Sequence, residues 1–338
     1  MIDISILDQS PIVQNQTVRE AIASSVELAQ IADKLQYKRY FVAEHHNMIE
    51  VAGTSPEILV THILNQTNHI RVGSGGVMLQ HYSPFKIIEQ FHFISNLAPG
   101  RVDLGIGKAP GGFPLATKAL QGELKDNAFS FEEKFHQLNQ FNNNNFPQDD
   151  EYNQLATTIR KNELEKPEIF LLGASEKSAE LAANEGVGFI FAYFINSNNE
   201  AMISAINKYK QLYPKGRLIV AVAAVVAEQD HELAIVEEGR TNYALHFKDG
   251  RKITVNTTAQ VEMFRQQSND SFDIEEKSID VFTGSSTQIK KALQTLNEHN
   301  LIDEFMLHMP VQNHDLRRQT VKQLAPIHNA NFKKEGIV

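Results

Sequence analysis

Strand-like and helix-like segments alternate along this chain from one end to the other, and that alternation restricts the fold more than any single motif. Ile2–Leu7 is a short apolar run closed by the turn-rich Asp8-Gln9-Ser10-Pro11. Thr17 then caps a helix in which Leu28, Ile31, Ala32 and Leu35 fall at i, i+3, i+4 and i+7, one buried face. Arg39–Glu44 reads as a second strand, and Ser55-Pro56 opens a helix with proline in its first turn. Ile70–Ser74 gives a third strand ending at Gly75-Gly76, and Ser83-Pro84 starts a helix with Ile87, Ile88, Phe91 and Ile94 inward. Arg101–Ile106, Ile169–Leu172, Gly188–Tyr193, Leu218–Ala227 and Glu304–His308 complete the strands. Helical stretches are predicted over 127–141, 176–186, 198–213, 230–246, 286–299 and 313–329. Eight strands each followed by a helix is the count of a (β/α)8 barrel, although a doubly wound sheet of six or seven strands fits the same periodicity.

Two segments break the rhythm. Asn142–Lys166 begins with four consecutive asparagines and is rich in charge, which predicts a loop with a short helix. Residues 241–280 are polar, without clear periodicity, and lie between the seventh and eighth strands; a lid and a variable surface excursion are both open for them. The 338 residues otherwise read as one domain, since single α/β barrels of this length are common. A net charge of −9 with no basic run argues against a nucleic-acid partner, which needs a clustered positive footprint. With no cysteine, thiol catalysis and cysteine-ligated metals are excluded. Neither a secretory leader nor an apolar run of about 18 residues is present, so a cytoplasmic protein is expected, without a membrane partner.

In a barrel, chemistry is carried by residues just past each strand's C-terminal end. Here these include Asp8, Gln9, His45, His46, Gly75, Gly76, Gly107, Lys108, Gly173 to Ser178, Tyr193 and His308. Neighbouring side chains on a strand face opposite sides, so His45 and His46 divide between one catalytic and one structural role unless the strand has already turned. Adjacent histidines lack the i, i+2 strand or i, i+4 helix spacing that brings two imidazoles to one ion, so no metal is expected. A hydrogen-bonding or acid–base histidine fits better. Leu171-Leu-Gly173-Ala174-Ser175-Glu-Lys-Ser178 runs into an alanine-rich helix, whose free amides and serine hydroxyls suit an anion, although Ser175 can equally be a simple cap. Gly105-x-Gly107-x-x-x-Gly111-Gly112 does not have the spacing of a dinucleotide fingerprint.

Leu7-Asp-Gln-Ser-Pro11, Ala43-Glu-His-His-Asn47, Arg71-Val-Gly-Ser-Gly-Gly76, His81-Tyr-Ser-Pro84 and Pro99-Gly-Arg-Val-Asp-Leu-Gly-Ile-Gly107, in this order, resemble the bacterial luciferase-like flavin-dependent monooxygenases. Gly173-Ala-Ser175 and Asp303-Glu-Phe-Met306 extend the likeness over nearly the whole chain outside the two irregular segments. The resemblance implies a (β/α)8 TIM barrel that binds reduced FMN at its C-terminal mouth. It implies a catalytic set of His45, Glu44 and His46, with Glu44 orienting His45. It also implies that Gly75-Gly76 forms a non-prolyl cis peptide against the flavin ring, with Leu172 touching that ring. Gly75, Gly76, Lys108, Leu172, Ala174, Ser175 and Ser178 form the implied cofactor-binding set, the serines and Lys108 near the phosphate.

Three positions depart from the family pattern. Lys108 replaces a common arginine and loses its bidentate fork, Gly107 stands where luciferase has cysteine, and Gln80 stands where proline is common. The activity implied is oxidation of a small organic substrate by reduced FMN and O2 through a C4a-(hydro)peroxyflavin. A separate NAD(P)H:flavin reductase would supply the reduced flavin, and the protein would be a homodimer. A deazaflavin- or NAD(P)H-dependent oxidoreductase on the same fold, or a flavin-binding protein without turnover, are the alternatives. No residue names the substrate, and the resemblance implies that the 241–280 segment takes the place of luciferase's mobile active-site loop.

Overall fold

A computed structural model describes residues 2–326 apart from 14, 123–128, 156, 158–165, 196, 269 and 300. Strands β1 (Asp3–Asp8), β2 (Arg39–Val42), β3 (Arg71–Met78), β4 (Val102–Gly107), β5 (Glu168–Gly173), β6 (Gly188–Ala192) and β7 (Leu218–Val226) pair in parallel in chain order. The last barrel strand, β12 (Glu304–His308), lies between β7 and β1, with Leu7 in register with His308. Because β6 also pairs with β7, the sheet closes into a barrel of eight parallel strands. The doubly wound alternative is thereby excluded.

Local sequence explains the outer helices. The Thr17 hydroxyl and the Glu20 carboxylate form a reciprocal capping box at the start of α1 (Val18–Lys34). Pro56 and Pro84 occupy the first turns of α2 (Pro56–Gln66) and α3 (Pro84–Leu97), where a missing N–H costs nothing. Ile87, Ile88, Phe91 and Ile94 of α3 are buried against the sheet, as their spacing predicts. Among the described residues no helix is long and apolar enough to cross a membrane.

Inside the barrel, Leu7, Phe41, Phe170, Ile190, Ala221 and Met306 pack together as an apolar layer. Below it, at the N-terminal ends of the strands, Arg39 is fully buried. It donates to Asp103 at 2.8 Å and to Glu304 at 2.9 Å, while Ser5 also donates to Glu304 and Arg71 to Asp103. The barrel floor is thus sealed by paired ions, with Arg39 Nη2 left without a partner, and the opposite end is the mouth.

Two predicted segments differ from what forms. The helix expected over 230–246 stops early: α8 spans Asp230–Glu238, and the chain then enters a strand, β8 (Thr241–Phe247). A Cβ on Gly239 would lie 2.0 Å from the Pro310 carbonyl oxygen, so the chain presses against that loop where the helix ends. Asn242, Ala244 and Phe247 are then buried by strand geometry. The stretch 241–280 is neither loop nor irregular. β8, β9 (Lys252–Val255) and β10 (Phe272–Ser278) form an antiparallel sheet in the order β10-β8-β9, joined by α9 (Thr258–Gln267). It has its own core of Leu245, Phe247, Val255, Val261 and Phe264, closed by Phe113 from the loop after β4. β11 (Val281–Gly284) then pairs with the upper part of β7. Helix α4 (Pro114–Gln121), also unforeseen, follows Phe113.

In the 142–166 segment, a short 3₁₀ turn at Glu151–Gln154 matches the expected short helix, and 156 and 158–165 lie outside the described residues. So do positions 127–128 and 327–329 of the predicted helices. The other predicted helices form: α5 (Phe131–Asn143), α6 (Glu176–Asn184), α7 (Asn199–Leu212), α10 (Ser286–Leu296) and α11 (His314–Gln323).

Candidate active site

The chain leaves β2 after Val42, and the next residues are fixed by backbone bonds to three different loops. Ala43 N–H donates to the Asp8 carbonyl at 2.9 Å, His45 N–H to Gly53 at 2.8 Å, and His46 N–H to Gly111 at 2.7 Å. The period of two survives this turn. Glu44 and His46 face one way together, and His45 faces the other.

Glu44 is fully buried and accepts three hydrogen bonds. His46 Nε2 and the Tyr82 hydroxyl both lie 2.7 Å from its Oε1, and Met78 N–H donates to Oε2 at 3.0 Å. The expectation that Glu44 orients His45 is therefore corrected: its carboxylate holds His46 and Tyr82. With Nε2–H given to Glu44, His46 keeps Nδ1 as its free nitrogen. His81 packs edge-on to both His46 and Tyr82, and its Nε2 lies 2.8 Å from the Pro110 carbonyl. Burial and the Glu44 bond keep the Tyr82 phenol protonated far above its usual range.

His45 stands in a different environment. Its Nδ1 is buried without a hydrogen-bond partner. Burial drives its pKa down to about 4, outweighing the attraction of Glu44, and His46 pushes the same way as burial. At neutral pH His45 is thus an uncharged imidazole. Substituting Glu44→Gln puts an amide NH2 in place of one acceptor oxygen, so at least one of the three bonds is lost or has to reverse. The expected cost is about 1–3 kcal/mol, read as a lower urea midpoint at unchanged slope. An unchanged midpoint would show that the three bonds do not matter.

The Gly75–Gly76 peptide is cis, as the resemblance implied. A Cβ at Gly76 would sit 2.8 Å from the Gly105 carbonyl oxygen and one at Gly75 2.5 Å from Leu7. Close packing of β3 on its barrel neighbours thus requires these glycines, whatever meets the exposed side of the peptide. Leu172 is half-buried at the end of β5, against the barrel-interior core, and Ala174 packs on the outer core.

Ser175 caps α6: its hydroxyl accepts from Ser178 N–H at 3.3 Å and lies 3.1 Å from the Ser178 hydroxyl. Both readings of Ser175 are therefore compatible, since a capping oxygen and its neighbour at a helix N-terminus also face outward to an anion. Lys108 is not free. Its ammonium pairs with Glu132 at 2.8 Å and lies over the Phe131 ring at 5.4 Å. This pair is well exposed, so an anion can compete for the lysine at little cost. Lys177 also acts on Glu132, which draws a second cation to the same neighbourhood.

The structure thus brings Glu44, His46 and Tyr82 into one bonded unit with His45 behind it, and sets Lys108 and the two serines on the β4–β5 side. Tyr82 was legible only as part of a motif, and nothing in its spacing announced a bond to Glu44. Lys177 was passed over because a helix-surface lysine is usually only solvated.

Comparison with known proteins decides the family. The family model described as luciferase-like monooxygenase matches residues 2–270. The chain belongs to the luciferase-like monooxygenase family. A Bacillus subtilis (strain 168) relative, N-acetyl-S-alkylcysteine monooxygenase, is 41% identical over 318 residues, 93% of this chain and 94% of that one. Among solved structures, apo-MsnO8 superposes with a TM-score of 0.73 at 29% identity, covering 96% of this chain and 98% of that chain. The oxygenating constituent of 3,6-diketocamphane monooxygenase from Pseudomonas putida, in complex with FMN, superposes with a TM-score of 0.66 at 15% identity, covering 96% and 98%, a likeness of fold. The protein is therefore a luciferase-like monooxygenase.

Proposed function

We propose that this luciferase-like monooxygenase is the oxygenating component of a two-component system that uses reduced FMN and O2 to oxidise an N-acetyl-S-alkylcysteine or a closely similar thioether. The observation that carries the site is the gathering of a neutral, unpartnered His45, the Gly75-Gly76 peptide and the α6 N-terminus around one barrel mouth. The substrate class is taken from the relative of 41% identity.

The residues present fit FMN. The α6 amides with the Ser175 and Ser178 hydroxyls, and Lys108 once released from Glu132, would hold the phosphate. Gly75, Gly76, Leu172 and Ala174 would line the flavin ring. When bound, the reduced flavin supplies the two electrons that split O2 between product and water. His45 would hold a hydrogen bond at the reacting oxygen or move a proton there through its free Nδ1, its neutrality leaving that nitrogen available at pH 7. Glu44, itself held by Tyr82, would keep His46 on the face opposite His45. The 241–280 sheet stands beside the mouth and would exclude water while substrate is bound. The reduced flavin would come from an NAD(P)H:flavin reductase, and the homodimer belongs to the same reading.

The test is anaerobic mixing with reduced FMN, then a pulse of oxygen with and without N-acetyl-S-benzylcysteine, following absorbance and product together. The expected result is slower reoxidation than in free solution and one oxygenated product per flavin oxidised. Reoxidation at the free-solution rate would overturn the reduced-FMN reading and call for a test of deazaflavin binding. Slow reoxidation without product would retain FMN and discard this thioether.

A further inference from the structure

A second histidine stands at the barrel mouth, outside the machinery described so far. His308 ends β12, and Met306, two residues earlier, belongs to the barrel-interior core. Side chains two apart on a strand share a face, so His308 rises from the inside of the barrel just above that core. Its ring lies 4.8 Å from that of Phe194, which itself packs on the interior core. His308 is only 7% exposed, and its Nδ1 has no hydrogen-bond partner. His45 Nδ1 is in the same condition, and a charge on His45 would act against one on His308. Buried polar atoms left unpaired are rare and call for an occupant. Among the described residues eight side-chain atoms are in this state, and two of them are imidazole nitrogens at this one place.

Position in the ring says which ligand would meet it. In the closed order β12-β1-β2-β3-β4-β5-β6-β7, β4 stands directly across from β12. Lys108 follows β4, Ser175 and Ser178 follow β5, and Gly75-Gly76 lies in β3. A flavin anchored on that arc leaves the β7–β12–β1 arc to the other reactant.

The electrostatics favour a neutral imidazole there. Burial first, then the Arg317 guanidinium, pushes the His308 pKa down to about 4; Asp8 and a hydrogen bond to the Leu7 carbonyl pull it up, and His45 pushes it down. Arg317 is itself spoken for by Asp8, at 2.5 Å. The bond to Leu7 uses the one N–H of the neutral ring, so the unpartnered Nδ1 is an acceptor, open to a substrate N–H.

We propose that His308 is a substrate-binding residue, whose Nδ1 accepts the amide N–H of the N-acetyl amino-acid part of the substrate. For the substrate class this rests on the functional reading above. His308 thereby selects for the polar head of the thioether while the flavin occupies the opposite arc.

The experiment uses FMN-loaded protein and N-acetyl-S-benzylcysteine, with calorimetry for binding and steady-state kinetics for turnover, in wild type, His308→Leu and His308→Gln. His308→Leu is expected to weaken thioether binding and raise KM by about tenfold, with kcat much less affected and FMN affinity within about twofold. His308→Gln keeps an acceptor in its amide oxygen and is expected to recover part of the loss, which a purely structural role would not produce. Where the leucine variant fails to fold, ring-¹⁵N spectra of the wild type give the same answer: the thioether, and not FMN, should shift the His308 resonance. Unchanged thioether affinity in a folded leucine variant, or loss of FMN affinity in its place, overturns the proposal while leaving the thioether reading intact. A wild type that binds FMN but no thioether overturns the substrate reading, and this proposal with it.

Discussion

Replacing His45 by alanine is expected to lower turnover by about 10²–10⁴-fold while FMN still binds, the range typical for loss of a positioned acid–base group. Because Nδ1 has no partner in the protein, no hydrogen bond is forfeited on removing the ring, and the loss should fall on chemistry rather than on folding. Turnover with a flavin reductase, read beside FMN fluorescence, separates the two. Retained turnover would remove His45 from the mechanism, and loss of FMN affinity would make it a cofactor ligand.

The same substitution has a pH signature. His45 and His308 both have folded pKa values near 4 against an ordinary 6.5, so below 6.5 the unfolded chain binds protons that the folded one refuses. Their contribution to stability is complete above pH 6.5 and is lost as pH falls towards 4. Without His45, part of this acid sensitivity should disappear from the urea midpoint between those pH values.

Arg39→Met is expected to be the most destabilising single change in the barrel, by about 3–5 kcal/mol, because it strips a cation from carboxylates that stay buried. Asp103 retains Arg71, but Glu304 is left with Ser5 and a 3.3 Å contact to Arg217. Burial already raises the Glu304 pKa against the pull of Arg39. Without the guanidinium it should rise further, and a group whose folded pKa is raised loses its contribution as pH climbs. The deficit of the variant should therefore be smaller at pH 5 than at pH 8. A deficit under about 1 kcal/mol, or one that grows on acidification, would refute this account of the floor. FMN binding by the folded fraction should be unaffected, since Arg39 lies at the end of the barrel away from the mouth.

How much of this was legible in the sequence depended on what each segment packs against. Barrel strands such as Leu218–Val226 are buried along their whole length, and that leaves a continuous apolar run that no helix period can imitate. Thr17, Pro56 and Pro84 mark helix starts through local chemistry alone, and the structure places the helices there. The 241–280 excursion was illegible because one face of its sheet is solvated. β10 exposes most of its residues, so its strand pattern is written in polar letters. Glu44 was legible as a site residue and illegible in its role: its partners Met78 and Tyr82 lie more than thirty positions away, and only the closed barrel brings them within reach.

The excursion leaves the barrel at Thr241 and returns at Ser278, and these two residues are register partners across β8 and β10. Immediately beside them Ile279 N–H is bonded to the Arg240 carbonyl at 2.9 Å. Both chain crossings are thus fused into a single pivot. The leaf beyond it carries most of its own apolar core, so a swing about that pivot would not require it to melt. What fastens its free side is Phe113 within that core, Met48 against it, and one bond from Leu115 N–H to Gln267. Phe113 directly follows Gly112, whose bridge to His46 ties the latch to the catalytic loop. If this leaf serves as the lid of the proposed function, admission of a ligand would be governed by the grip of an aromatic latch, and its rate could be tuned at Phe113 without touching a residue proposed to meet the reactants.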